Sequence, residues 1–259
     1  KGKILPVERF VKSFEEQSLR LADSVFGQTV SGKWVYQSEV IDYVEEDLFM
    51  APDLSTIRKI PWNKEPTAQI ICDLNYPSGE PSKLAPRQVL KNIIKKLSDE
   101  ELQAVVAPEL EFYLCEQNLD PDLPLKTPIG KSGRRETGSR VFGIDAVNEF
   151  DKLTDDIYDY CELMNIGVDT LVHESGPSQI EINLNHGDPL ALADQAFMFK
   201  RAVRQVALKH NIHATFMAKP YQGQPGSSMH IHQNLVSAKT GKNLFLSLIH
   251  ISEPTRPIH

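Results

Sequence analysis

Pro108-Glu109-Leu110-Glu111-Phe112-Tyr113-Leu114 alternates carboxylates with apolar side chains at the two-residue period of a β-strand. Glu109 and Glu111 leave one face together, and Leu110 and Phe112 leave the other. Taken alone, a solvated edge strand reads the same way. The segments around it decide whether this face meets solvent or lines a site.

Two further segments repeat the pattern. Gln179-Ile180-Glu181-Ile182-Asn183-Leu184 puts Gln179, Glu181 and Asn183 on one face, and Ser227 to Leu235 puts Ser228, His230, His232 and Asn234 on one face. Val168 to Glu174 and Ile212 to Lys219 also read as strands. Helical stripes lie between them. Pro86 opens one with Leu90, Ile93, Ile94 and Leu97; Phe150, Leu153, Ile157, Tyr160 and Met164 mark a second, stopped by Gly167. Asp188 and Pro189 cap a third, whose stripe is Leu192, Ala196, Phe199, Val203 and Val206 and which ends near Asn211. Apolar stripes on helices cover the apolar sides of strands, so the polar faces are free to line one cavity. Glu174 and Glu181 are an odd seven residues apart, yet the Ser175-Gly176-Pro177-Ser178 turn between them lets both face it.

Glu109, Glu111, Glu174, Glu181 and His230 would then converge. Four glutamates cannot all stay ionised together, because like charges a few ångströms apart cost several kcal/mol even at intermediate dielectric. Two divalent cations would balance them. Oxygen-rich ligation with one imidazole suits Mg²⁺ or Mn²⁺ better than zinc or copper, and a paired hard-metal site suits phosphoryl transfer. The long loop from Asn118 to Gly143 carries Lys131-Ser132-Gly133-Arg134-Arg135, where Arg134 and Arg135 read either as a solvated pair or as a lid for phosphates. Gly130-Lys131-Ser132 is no Walker loop, since Leu125 stands where that motif needs glycine. His230 and His232 also fit a half-exposed polar strand, and His173, His186, His210 and His213 receive no role.

Composition narrows the field. With 259 residues, 41% of them hydrophobic, the chain can bury a sizeable core. A net charge of -7 argues against a nucleic-acid partner, which needs a basic excess. No apolar run approaches the length of a membrane span and no signal-peptide pattern opens the chain, so a cytoplasmic protein is expected. Cys72, Cys115 and Cys161 are widely spaced and read as reduced core residues. Toward the N-terminus, Pro6 to Leu19 reads as an amphipathic helix. Trp34 to Val40 and Thr67 to Asn75 read as strands joined by a Pro-rich connection from Ala51 to Pro66. Pro77-Ser78-Gly79-Glu80-Pro81 is turn chemistry and a candidate domain boundary.

Several ordered motifs carry a family resemblance: Val-Ala-Pro-Glu-Leu-Glu-Phe-Tyr-Leu from Val106, His-Glu-Ser-Gly-Pro-Ser-Gln-Ile-Glu-Ile-Asn from His173, Thr-Phe-Met-Ala-Lys-Pro from Thr215, and Gly-Ser-Ser-Met-His-Ile-His-Gln from Gly226. Together they resemble the glutamine synthetase family, and within it the glutamate-polyamine ligase branch. The resemblance implies an α+β fold: a small N-terminal β-grasp domain over 1–80, then a catalytic domain over 81–245 with a curved, mainly antiparallel sheet backed by helices. Residues 246–259 do not resemble the family, and its C-terminal part is expected to be missing, so the chain as given is expected to be inactive.

By position, Glu111, Glu174 and Glu181 resemble ligands of a first metal, and Glu109 and His230 ligands of a second. His232 resembles the histidine that meets ATP phosphate, and Gly226 the glycine of the glutamate-binding loop. The implied cofactors are ATP and two Mg²⁺ or Mn²⁺ ions. The implied partners are glutamate, a small amine and further copies of the parent in a ring with active sites between subunits. The implied reaction passes the ATP γ-phosphate to the glutamate γ-carboxylate, and an amine such as putrescine then attacks the acyl phosphate. Two departures bear on the substrates. Gln28-Thr29-Val30-Ser31-Gly32 replaces the Asp-Gly-Ser-Ser motif of ammonia users, and Pro225 replaces an asparagine near glutamate. Glutamine synthetase proper, a non-catalytic metal-binding homologue and a two-metal hydrolase remain the alternatives.

Overall fold

The computed structural model of the chain describes residues 1–35, 46–120 and 122–245. It divides into two compact units, one of Lys1–Arg58 with Ala68–Lys95, the other of Lys59–Thr67 with the chain from Lys96 onward. Both combine antiparallel strands with helices, the α+β class expected from the sequence.

In the first unit, α1 (Val7–Glu15) precedes a short β1 (Arg20–Ala22) and a 3-10 turn at Asp23–Gly27. β2 (Asp47–Lys59) and β3 (Ala68–Asn75) complete a sheet of order β1-β2-β3. The expected connection from Ala51 to Pro66 is corrected by this, because its first half continues β2. Pro52 lies beyond the β1 register, which covers only Asp47 to Phe49, and a proline is tolerated there because among the described residues no partner on that side needs its N–H. Of the expected strand Trp34 to Val40, Trp34 makes an isolated bridge to Gln28, and residues 36–40 lie outside the described residues, as do 246–259. The turn at Pro77 to Pro81 is present: Tyr76 N–H donates to Glu80 O at 2.7 Å, and Gly79 takes φ +89°, a conformation that favours glycine. α2 (Pro86–Asp99) buries none of its residues, and Ile93 of the expected stripe is 48% exposed. Its first turns are held by charge instead, with Arg87 reaching Asp53 at 2.6 Å and Asp73 at 2.7 Å.

The second unit is organised around β4 (Leu102–Glu116), fifteen residues long. Then come α3 (Ile144–Asn148), α4 (Asp151–Leu163), β5 (Val168–His173), β6 (Gln179–Leu184), α5 (Pro189–Lys209), β7 (Ile212–Thr215) and β8 (Met229–Ser237). β7 is shorter than the strand expected to reach Lys219. The sheet order is β5-β6-β4-β7, with β8 also on β4. β6 pairs with Glu109 to Tyr113, β8 with Leu102 to Leu110 and β7 with Tyr113 to Glu116, all antiparallel. The overlaps put β6 on one side of β4, and β8 and β7 in succession on the other. Glu109 and Leu110 are therefore paired on both sides.

The expected parity holds. Leu110, Phe112, Ile180, Ile182 and Leu184 are buried on one face, and α5 packs against β4 and β7 with its predicted stripe of Leu192, Ala196, Phe199, Val203 and Val206 entirely buried. Phe112 and Phe199 meet edge to face with ring centroids 6.5 Å apart. α5 starts where the sequence places it, with the Asp188 carboxylate accepting from Ala191 N–H at 2.9 Å and Pro189 in its first turn. Each fully buried large apolar side chain of this layer stabilises the fold by about 1.5–3 kcal/mol. That layer fixes which face the glutamates take.

Candidate metal centre

Cross-strand pairing brings four of the five predicted ligands together. Glu111 is the register partner of Glu181 across β4 and β6, and Glu109 is the partner of His230 across β4 and β8. Parity puts all four on one face, and each offers a ligand atom within 4.8 Å of those of the other three.

Glu109 is the hub. His230 Nδ1 donates to its Oε1 at 2.6 Å, while Oε2 accepts from His232 Nε2 at 3.0 Å and from Asn183 Nδ2 at 3.2 Å. Partial burial opposes its charge, but the bonds from His232 and His230 prevail and hold it below the usual carboxylate range. The bond to Glu109 raises the pKa of His230 in turn. Glu111 is buried, and desolvation pushes its pKa up. Glu181 is shifted furthest, to about 7, first by burial and then by the charge of Glu109 beside it. Two carboxylates this close repel by about 3–4 kcal/mol at an effective dielectric of about 20. Glu181 therefore tends to keep a proton until a cation replaces it.

The residues fit a hard divalent cation. Three carboxylates and one imidazole are an oxygen-rich donor set, and on the same face the buried Asn183 Oδ1 has no hydrogen-bond donor among the described residues. Glu174 stands outside the group of four. Its Oε2 accepts from Ser175 N–H at 2.9 Å and from Ser175 Oγ at 3.3 Å, although its charge still acts on Glu111 and Glu181. His232 shares the face and bonds Glu109, but its side chain is 70% exposed. Gly226 sits in the loop before β8, where a Cβ would come within 2.7 Å of the Ala218 carbonyl, so only glycine fits there without a shift. Arg135 is engaged locally by Glu116 and the Thr127 carbonyl.

Some of the supporting residues were not legible. Gln179 shared the polar face by parity, but nothing in the pattern revealed that its Nε2 donates both to Glu111 Oε2 and to the Gly226 carbonyl, each at 2.9 Å. Glu136 was hidden in the long loop. Its Oε2 accepts from Ser178 N–H at 2.6 Å and bonds His173 Nε2 at 2.8 Å, while His173 Nδ1 meets the Glu174 carbonyl at 2.7 Å. This part-buried pair ties the loop to the turn between β5 and β6.

Comparison with known proteins gives these residues a context. Residues 83–253 match the sequence model of the glutamine synthetase catalytic domain, a match that reaches into the stretch 246–259. The chain is 35% identical over 247 residues to γ-glutamylputrescine synthetase PuuA of Escherichia coli (strain K12), covering 94% of this chain and 52% of that protein. It is 30% identical over 241 residues to glutamate–isopropylamine ligase of a Pseudomonas species, covering 91% and 51% respectively. A crystal structure of a glutamine synthase homolog superposes with a TM-score of 0.79 at 20% identity, over 99% of this chain and 55% of that one. The chain spans about half the length of the curated relatives it matches.

Proposed function

The chain belongs to the glutamine synthetase family, and we propose that it supplies part of the metal centre of an ATP-dependent ligase joining the γ-carboxylate of glutamate to a primary amine, putrescine or a similar polyamine. The observation that carries this reading is the convergence of Glu109, Glu111, Glu181 and His230 on one face of three adjacent strands. Residues 1–80 are read as the family's N-terminal domain and 81–245 as the first part of its catalytic domain, a division supported by a family match that opens at residue 83.

In this reading Glu111, Glu181 and Glu174 hold one Mg²⁺ or Mn²⁺, and Glu109 with His230 holds a second. When bound, the cations neutralise charge that develops on the transferred phosphoryl group. His232 faces ATP phosphate, and the Gly226 loop receives glutamate. The protein's share is orientation: Glu109 fixes both histidines, and Gln179 fixes Glu111. Glutamate's γ-carboxylate takes the ATP γ-phosphate, and the amine then displaces phosphate from the resulting acyl phosphate. An amine larger than ammonia is favoured by Gln28-Thr29-Val30-Ser31-Gly32 in place of the ammonia users' motif, and by two relatives named for amine substrates. We read the full-length parent as a cytoplasmic ring; among the described residues no helix is long and apolar enough to cross a membrane.

The test is ADP release by the full-length parent with Mg²⁺ and glutamate, supplying putrescine, isopropylamine or ammonia in turn. Turnover that needs putrescine or isopropylamine supports the reading. Turnover with ammonia alone moves the protein to glutamine synthetase proper, and none with any amine leaves a metal-binding homologue.

A further inference from the structure

Tyr113 on β4 and Gln179 on β6 are register partners, and both are fully buried. Their polar ends reach consecutive carbonyls of one loop. The Tyr113 hydroxyl donates to Pro225 O at 2.8 Å, and Gln179 Nε2 donates to Gly226 O at 2.9 Å. The other hydrogen of Nε2 goes to Glu111 Oε2 at 2.9 Å, and Gln179 Oε1 accepts from Gly176 N–H at 2.8 Å. One buried amide thus touches a carboxylate of the metal centre, the turn between β5 and β6, and the loop before β8.

Both amide hydrogens are committed, and a buried side chain at 0% exposure has no water to replace a lost partner. The direction of the bonds matters as much as their number. With Oε2 of Glu111 held by Gln179, the other oxygen, Oε1, lies 3.9 Å from His230 Nδ1, on the side of the four-residue group. The loop is closed at its neck, where Ser227 N–H donates to Ala218 O at 2.9 Å, and Ser228 O accepts from the Glu111 N–H itself at 3.1 Å. Glu111 is therefore bound to this loop through its own backbone and, by way of Gln179, through its side chain.

We infer that Gln179 and Tyr113 are positioning residues: together they hold the Pro225–Gly226 carbonyls in fixed register with the Glu111 carboxylate, so that the cation site and the loop proposed to receive glutamate are set by one hydrogen-bonded unit. The role of the loop rests on the ligase reading above; the tie between Gln179 and Glu111 does not. Gln179 acts on both halves of the unit, whereas Tyr113 acts on the loop alone. This asymmetry makes the two separable.

Gln179→Met keeps the volume and removes every side-chain bond, and Tyr113→Phe removes only the hydroxyl. Binding of Mn²⁺ alone is read on this chain and on the full-length parent by electron paramagnetic resonance of the free ion, and steady-state kinetics of the parent give KM for glutamate and kcat separately. For Gln179→Met, Mn²⁺ affinity falls about tenfold and KM for glutamate rises as well, as expected when a ligand's supporting bond is lost. For Tyr113→Phe, Mn²⁺ affinity stays within about twofold while KM rises about fivefold and kcat moves less, the pattern of a lost ground-state contact. The inference is overturned if folded Gln179→Met binds Mn²⁺ like the wild type, or if Tyr113→Phe weakens Mn²⁺ as much as glutamate. Should Gln179→Met fail to fold, Gln179→Asn, which retracts the amide by one methylene, carries the same expectations. A wild-type parent with no glutamate-dependent turnover removes the ligase reading, and the Mn²⁺ measurement on Gln179→Met still decides the tie to Glu111.

Discussion

The two flanks of β4 are built from the same alternation and end in opposite environments. On the β6 flank, Ile180, Ile182 and Leu184 are buried, and Gln179 opposite Tyr113 is fully enclosed. On the β8 flank, Met229 is 50% and Ile231 52% exposed, and the side chains of His230 and His232 are 57% and 70% exposed. Period-two patterning assigns a side chain to a face, but only the layer packed on that face decides whether it leaves water. Among the described residues the apolar face of β6 is buried, whereas that of β8 is about half exposed. On the opposite, polar face the two carboxylates also differ, for local reasons: burial and the charge of Glu109 push Glu181 toward its neutral form, while bonds from His232 and His230 hold Glu109 in its charged form.

The largest effect expected from this contrast is on stability. Phe199→Ala removes a fully buried ring that packs on Phe112, and should destabilise the chain by about 3–5 kcal/mol, whereas Ile231→Ala on β8 should cost less than about 1 kcal/mol. Urea unfolding of the two variants measures both. Equal losses would mean that β8 is covered in solution as β6 is, and the contrast between the flanks would be gone.

The next effect is a pH dependence with a definite sign. The pKa of Glu181 is about 7 in the folded chain against an ordinary 4.5, so the folded state holds this proton more tightly than the unfolded one. The stability it contributes is complete below about pH 4.5 and is lost as pH rises through about 7. Glu109 runs the other way, because its depressed pKa contributes stability above the ordinary carboxylate range that is lost as pH falls. In metal-free buffer, Glu181→Gln should therefore gain about 1–3 kcal/mol on the wild type between pH 5 and pH 8. Parallel stability curves across that range would show that Glu181 ionises without strain and that its flank is wetter than drawn.

How much of this was readable in advance follows the same division. The strand around Glu109, the alternation from Gln179 to Leu184 and the α5 stripe were legible because burial there follows local period, and Asp188 with Pro189 announced the helix start through its cap. β2 was not, because Pro52 reads as a break, and its tolerance depends on where a neighbouring strand ends. The four-residue group was legible in composition and parity, with family resemblance supplying the pairing. Gln179, Tyr113 and Glu136 were not, since their roles lie in contacts 47, 112 and 42 residues away in sequence that no local pattern encodes.

A smaller effect separates the ligands themselves. Glu181→Gln removes an anionic oxygen from the covered flank and should weaken Mn²⁺ binding at least about tenfold. The same change that stabilises the metal-free chain at pH 8 thus weakens the metal complex, and titration of Mn²⁺ at that pH against a stability curve without metal reads both signs on one variant. A variant that gained stability and kept full affinity would place Glu181 outside the centre.

The smallest expected difference tests the exposed flank from within. His230 and His232 both bond Glu109, at 2.6 and 3.0 Å, but only His230 belongs to the group whose ligand atoms lie within 4.8 Å of one another. His230→Gln should therefore weaken Mn²⁺ binding by about tenfold, while His232→Gln should change it by no more than about threefold, the effect of an outer bond to Glu109 in a largely solvated setting. Neither should alter urea stability by more than about 0.5 kcal/mol, because both side chains are more than half exposed. A stronger loss of Mn²⁺ from His232→Gln than from His230→Gln would exchange their roles. It would also move the centre outward along β8, away from Glu111 and Gln179, and so undo the placement of the site on the boundary between the covered and the open flank.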